Sequence, residues 1–221
     1  MKLAGFIVGA LCVATVTAHA QVRIIIDHNP SAIATSAFKF KHVPSPAKND
    51  SASQAMLLLI EGEIDSNAAD LNGLIDGVLP TSSDQPSANL FFSPGTGGGR
   101  FRMDLGSVIE VAQINSYSWH PNTRGPQVYR VWASDASDPK FDPAPKTKTD
   151  PESCGWKLIA TVDTRFDGDD GGQFGVSLSD TRASLGRFRY LLFDCYVTET
   201  ADNFGNTFYS EIDVVKKSKS D

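Results

Sequence analysis

Apolar residues recur at every second position through much of this chain. The pattern is plainest from Phe101 to Asp135. Phe101-Arg102-Met103-Asp104-Leu105 alternates, Val108 to Tyr117 alternates, and Val128 to Ala133 resumes after a break. β-Branched and aromatic residues at period two mark half-buried strands. The break, Trp119-His120-Pro121-Asn122-Thr123-Arg124-Gly125-Pro126-Gln127, carries two prolines and a glycine. These residues oppose a regular ladder, so the expectation is a loop presenting Trp119, His120, Asn122 and Arg124. Aromatic and polar groups on a loop held by a rigid sheet are where binding concentrates, which makes this loop the candidate site.

Other segments read the same way. Val22 to Ile26 is a compact apolar run and a first strand, turned by Asp27-His28-Asn29-Pro30. Phe38-Lys39-Phe40-Lys41 is a short alternating piece with the phenylalanines on one side. In Ser51 to Ile64, periodicity alone fits either a short helix or a buried strand. Leu71 to Leu79 suits one helical turn ending in Asp76-Gly77. Leu90-Phe91-Phe92 is an apolar anchor before the glycine run Gly95–Gly99. Ser137 to Ser153, with four prolines among charges, reads as a mobile surface insertion. Trp156 to Val162, Gln173 to Leu178, Arg187 to Val197 and Phe208 to Val215 complete the strands, with an Asp-Gly turn from Asp167 to Gly172. Many short strands, few helical patterns and no repeats predict an all-β sandwich. Trp132 and Trp156 lie inside strand patterns and are expected in the core.

The N-terminus alters the accounting. Lys2, the apolar run Leu3–Val16 and Ala18-His19-Ala20 form a secretory signal pattern over residues 1–20. Leu11 before Cys12 does not suit a lipoprotein signal. The chain is therefore expected to be secreted or periplasmic, without a membrane span, as one domain over 21–215. A disordered basic tail at 216–221 follows. Of 221 residues about 200 then remain, enough for one core. A net charge of −6 makes nucleic acid and anionic membranes poor partners. Cys154 and Cys195 remain, and in an oxidising compartment an even pair suggests a disulfide, worth about 4 kcal/mol for a loop of roughly 40 residues. Two buried thiols are the other reading.

Catalytic and phosphate motifs are lacking. The glycine run has no Lys-Ser/Thr after it, and the Asp-rich turn at Asp167 places Leu178 where an EF-hand needs Glu. His28, His42 and His120 have no ligand neighbours at metal spacing. Glu110, Glu199 and Glu211 qualify for glycoside hydrolysis only by type, since two carboxylates must meet in a cleft.

Six segments in order resemble the discoidin-like, or coagulation factor 5/8 type C, domains of the galactose-binding-like fold. They are LIDGVLPT (74–81), FRMDLGSVIEVAQI (101–114), VYRVWASD (128–135), WKLIATVD (156–163), RFRYLLFDCYV (187–197) and FYSEIDVV (208–215). YSWHPNTRGPQVY is also similar to a subgroup seen in exported bacterial proteins. The resemblance implies an eight-stranded jelly-roll sandwich that binds ligand through loops at one end, and a strand for residues 55–60. It implies a structural calcium ion held by Asp76, Thr81 and Glu211. The ligand implied is a carbohydrate or glycoconjugate. Trp119, His120, Asn122 and Arg124 would contact it, with Phe204 and Asn206 facing them. Adhesion to another surface protein and a glycan-active enzyme are the rival readings.

Overall fold

The computed structural model describes residues 22–166, 171–181 and 184–218. Its strands are β1 (Val22–Pro30), β2 (Met56–Glu61), β3 (Gly98–His120), β4 (Val128–Ser134), β5 (Lys157–Asp163), β6 (Gly172–Asp180), β7 (Gly186–Tyr196) and β8 (Tyr209–Lys216). All their pairings are antiparallel, and the connections carry only short 3-10 turns such as Leu71–Leu74. The expected all-β jelly-roll sandwich is the fold observed. Among the described residues no helix is long and apolar enough to cross a membrane.

One strand belongs to both layers. The segment Gly98–Asp104 of β3 lies between β2 and β7, whereas Gln113–His120 lies between β6 and β8. The change occurs at a register shift between Asp104 and Ile109. Gly106 takes φ +78 there, and its N–H donates to Asp104 Oδ1 at 2.9 Å. A bulge at a glycine bends a strand, and a second register shift, between Val111 and Gln113, moves the core-facing positions from odd to even numbers. Both ends of β3 therefore reach the same end of the sandwich. Gly98 stands opposite Tyr196, and the nearby Thr198 hydroxyl donates to Thr123 O.

The main core lies between the layers and includes Phe101, Met103, Ile114, Tyr129, Val176, Phe193 and Ile212. Each outer face is covered in its turn. Residues 31–50 lie over the second half of β3, where Phe38 and Val43 pack on Tyr117 and Trp119. Phe38 is buried and Lys39 exposed, as the alternation predicts, yet 38–41 form no strand.

The insertion 137–153 covers the other face and is not the free loop expected. Phe141 and Ala144 pack against a second cluster of Trp132, Trp156, Cys154, Leu192 and Ile60. Arg100, 3% exposed, holds it further. Its Nη1 donates to Pro145 O (3.0 Å), Lys146 O (2.8 Å) and Thr149 O (3.2 Å). Its Nε and Nη2 fork onto the Asp194 carboxylate, which also accepts from Trp132 Nε1 at 3.3 Å. Nη1 carries two N–H groups, so one of them is shared between two of the three carbonyls.

Other expectations need correction. β1 runs on to Pro30 because β6 pairs with it as far as Gly172, and proline is tolerated on an edge strand. The supposed basic tail begins later than 216. Lys216 closes β8, and the Lys217 N–H and ammonium bond to Glu110 O (2.8 Å) and Oε1 (3.0 Å). The cysteines are both free. Cys195 points into the main core with Phe193, whereas Cys154 lies outside the sheet among the tryptophans. A strand stands between them, and burial pushes the Cys195 thiol up to about 12. The expected signal at 1–20, the turn residues 167–170 and the last residues, 219–221, lie outside the described residues.

Replacing Arg100 with Ala leaves Asp194 buried without its cation and frees the insertion. Chemical denaturation should show a loss of about 3–5 kcal/mol. A loss below about 1 kcal/mol would contradict this account of Arg100.

Candidate functional site

The β3–β4 loop, the β7–β8 loop and the stretch between β2 and β3 meet at one end of the sandwich. Arg124 is their common point. Its Nε donates to Asn206 O at 3.0 Å, and its carbonyl accepts from Phe208 N at 3.0 Å. Phe91 and Phe208 stack with centroids 4.1 Å apart and 3° between planes. The Arg124 guanidinium carbon lies 4.1 Å from the Phe208 centroid, 4.7 Å from Phe91 and 5.9 Å from Phe204. A cation against ring faces is stabilised by their quadrupoles. Burial draws the Arg124 pKa down, while Asp65, Asp84 and Asp202 pull it back up.

Phe204 is the exposed member, at 52%. Its N–H donates to Asp202 Oδ1 at 2.6 Å, and Glu199 Oε2 accepts from Ala201 N, so the tip is shaped by its own side chains. Asx-type bonds of this kind fix a loop locally.

His120 is only 6% exposed and leans on Phe208 at 4.5 Å between centroids. Its Nδ1 accepts from Asn122 N at 3.3 Å, which assigns the ring proton to Nε2. Burial, with repulsion from Arg124, lowers its pKa to about 4. Asn122 itself is exposed on the loop.

Two more of the expected ligand residues are, like His120, buried. Trp119 stands inside β3, 5% exposed, edge-on to Phe38 at 5.7 Å. The loop begins only at Pro121, because β6 pairs with β3 up to His120. Asn206 is 2% exposed, and its amide is spent on Ser93 O (3.2 Å), Thr96 O (3.4 Å) and Thr96 Oγ1 (3.3 Å). It braces the loop floor. Conversely, Asp65, Asp84, Asp202, Phe91 and Phe208 were not singled out, since nothing local distinguishes them from turn or core residues.

The residues expected to hold a cation form a second group, on the outer side of β8. Glu211 is fully buried. Its Oε2 accepts from Gly77 N at 3.2 Å and its Oε1 has no hydrogen-bond partner. Asp213, two positions on and 1% exposed, accepts from Ala47 N (3.1 Å) and Tyr117 Oη (3.2 Å) through Oδ2, leaving Oδ1 bare. Asp50 likewise has an unpartnered Oδ2. Burial, then Asp213 and Asp76, pushes the Glu211 carboxyl up to about 9. Burial and Asp50 raise Asp213 to about 7. Asp76 is exposed, its Oδ1 accepting from Val78 N at 2.7 Å. Thr81 is also exposed, its N–H and hydroxyl donating to Gln85 Oε1. Among the described residues no three His, Cys, Asp or Glu side chains converge tightly enough for a metal cage. A hard cation here would therefore take carboxylates together with backbone carbonyl oxygens.

The three glutamates considered for hydrolysis lie in different surroundings. Glu110 pairs with Lys217 and Ser184, Glu199 caps the β7–β8 loop, and Glu211 is buried under Gly77.

No family model and no curated protein matches the chain. Among solved structures, GH31 CBM32-2 bound to GalNAc superimposes with a TM-score of 0.51 at 11% identity, over 74% of this chain and 98% of that one. CpGH89CBM32-6 from Clostridium perfringens gives a TM-score of 0.43 at 17% identity, over 76% and 100% of the two chains. A fucose-binding module from Streptococcus pneumoniae gives 0.47 at 15%, over 76% and 96%. The first of these shows a shared fold.

The depressed His120 pKa carries a sign. The unfolded imidazole takes its proton near pH 6.5 and the folded one only near 4, so folding binds fewer protons between them and loses stability as pH falls through that window. Stability of the wild type relative to His120→Gln should drop by on the order of 3 kcal/mol from pH 7 to 4. A constant difference in paired denaturation curves would refute it.

Proposed function

We propose that this chain is a non-catalytic binding domain for carbohydrate, acting through the loops around Arg124 and Phe204. The observation that carries this reading is the half-buried Arg124 seated among phenyl rings, beside the exposed Phe204 at the loop end of a jelly roll. A sugar offers an apolar C–H face and a rim of hydroxyls. Phe204 supplies a surface for the face, and Arg124 and the exposed Asn122, whose N–H is held by buried His120, supply hydrogen bonds for the rim. Ground already rigid needs little ordering on binding, and Arg124 is held by ring contacts and by Asn206 O before any ligand arrives. The shared fold with a module bound to GalNAc supports the same reading. An exported location, as the Leu3–Ala20 pattern suggests, would place the domain among surface glycans.

A calcium ion forms part of the proposal as a brace, not as a catalyst. Glu211 and Asp76 would hold it with backbone oxygens of residues 76–81, Thr81 included. The bare Glu211 Oε1 and the surplus of buried carboxylate around it are what a hard cation neutralises.

Two measurements test these statements. On a glycan array the chain from Gln21 onward should bind a defined set of sugars, and Phe204→Ala should weaken that binding about tenfold, the equivalent of one exposed ring contact. Its melting temperature should not move. Failure to bind any sugar removes the reading. For calcium, adding the ion to chelator-treated protein should raise the melting temperature in the wild type and not in Asp76→Ala. An identical melting temperature with and without calcium in the wild type would dismiss the brace.

A further inference from the structure

Beside Phe204 the surface stays open, and the opening continues. Asp202, Asn203 and Thr96 border a hollow of about 260 Å³. Gly97 is common to it and to a second hollow of about 310 Å³, bounded by Glu61 and Thr147 and floored by Tyr196 and the Arg100–Asp194 pair. Past Tyr196 and Thr147 this opens into a third, of about 550 Å³, which reaches Arg130 and Thr161. Each is near or within the size range of small-ligand sites, roughly 300–1,000 Å³. Together they make one trough from the loop end onto the outer face of β7 and β4.

The sequence explains why the trough is open. A Cβ on Gly98 would lie 2.0 Å from Cys195 O, so glycine is required there for β3 to start this close to β7, and one on Gly99 would lie 2.2 Å from the buried Phe92 ring. At Gly97 a Cβ would meet nothing within 4 Å. The three together leave a wall without side chains. Opposite stands Tyr196, 39% exposed on the outer face, with Arg130 Cζ 5.9 Å from its ring centroid. The far lip is the insertion. It is fixed by Arg100 and by Thr147, whose N–H and hydroxyl donate to Glu61 Oε2 at 2.6 and 2.7 Å.

We propose that the domain takes an extended oligosaccharide rather than a single terminal sugar, with Tyr196 and Arg130 forming a distal subsite joined to the Phe204 site by the glycine-walled trough. This rests on the carbohydrate reading above. Phe204 stands beside one end, Tyr196 lines the junction of the second and third hollows with Arg130 beyond it, and hydroxyl, carboxylate and guanidinium groups line the run between. Such an alternation suits successive sugar rings, which present apolar faces and polar rims in turn. Each further ring binds as part of a chain already anchored, so affinity should grow with length.

Titration calorimetry with ladders of galacto-, chito- and xylo-oligosaccharides from one to four residues tests it. For whichever ladder binds, the longest member should bind at least tenfold tighter than the monosaccharide. Tyr196→Ala should abolish that gain while leaving monosaccharide affinity unchanged, and Phe204→Ala should weaken every member. Arg130→Ala, at an exposed position, serves as the second probe should Tyr196→Ala lower the melting temperature, and it should halve the gain or more. Equal affinity at all lengths, or a gain untouched by both distal substitutions, overturns the trough and leaves the Phe204 site standing. No binding by any ladder overturns both.

Discussion

The period-two alternation within each half of one strand, reset between the halves by irregular register, is the constraint on which this structure depends. β3 contributes Phe101 and Met103 to the core before Gly106, and Val111 and Ile114 after it. A single-residue slip in either half would turn those side chains out and bring Arg100 or Tyr117 in. The core-facing positions are odd up to Val111 and even from Ile114, the phase changing at a second register shift between Val111 and Gln113. The bend before it is held by Gly106 in the left-handed region and by Asp104, which accepts from Gly106 N and pairs with Arg189 at 2.9 and 3.0 Å. Because β3 serves both layers, its ends and its neighbours' ends converge on the same loops.

Alternation also dictates what lies outside the sandwich. Residues of β3 that face away from the core include Arg100, Tyr117 and Trp119, and none of these is exposed. Two irregular segments cover them, 31–50 and 137–153. The two covered faces treat buried charge differently. Asp194 is matched by Arg100 and Trp132 Nε1, so its charge is stabilised where it stands. Asp50, Glu211 and Asp213 each keep a bare oxygen, and the latter two have raised pKa values. Buried carboxylates without a cation are costly, which is why the proposed calcium brace is placed at the second face and not the first.

At the loop end the same logic sorts structural from available groups. Pairing with β6 pulls Trp119 and His120 into the strand, and Asn206 is occupied by backbone carbonyls. What stays available is the exposed Phe204 ring, the half-buried Arg124 guanidinium and the exposed Asn122. The aromatic nearest the proline-rich motif is thus a core residue, and the aromatic that meets solvent comes from the β7–β8 loop.

Local chemistry along the chain determined most of the strands, the buried Trp132 and Trp156, the alternation of Phe38 with Lys39 and the placing of Arg124 and Phe204 on loops, because period two and turn residues act within a few positions. The resemblance carried by six ordered segments supplied the jelly roll. Contacts between distant residues decided the rest. Arg100 reaches 45 to 49 residues along the chain to pin an insertion whose prolines and charges read as free loop. A strand lies between Cys154 and Cys195, which no spacing reveals. Trp119 is buried because Phe38, from another segment, needs a partner. The burial of Glu211 and Asp213 appears only when the segments that carry Ala47 and Gly77 close over them. In each case burial is a property of two segments at once, and neither segment alone contains it.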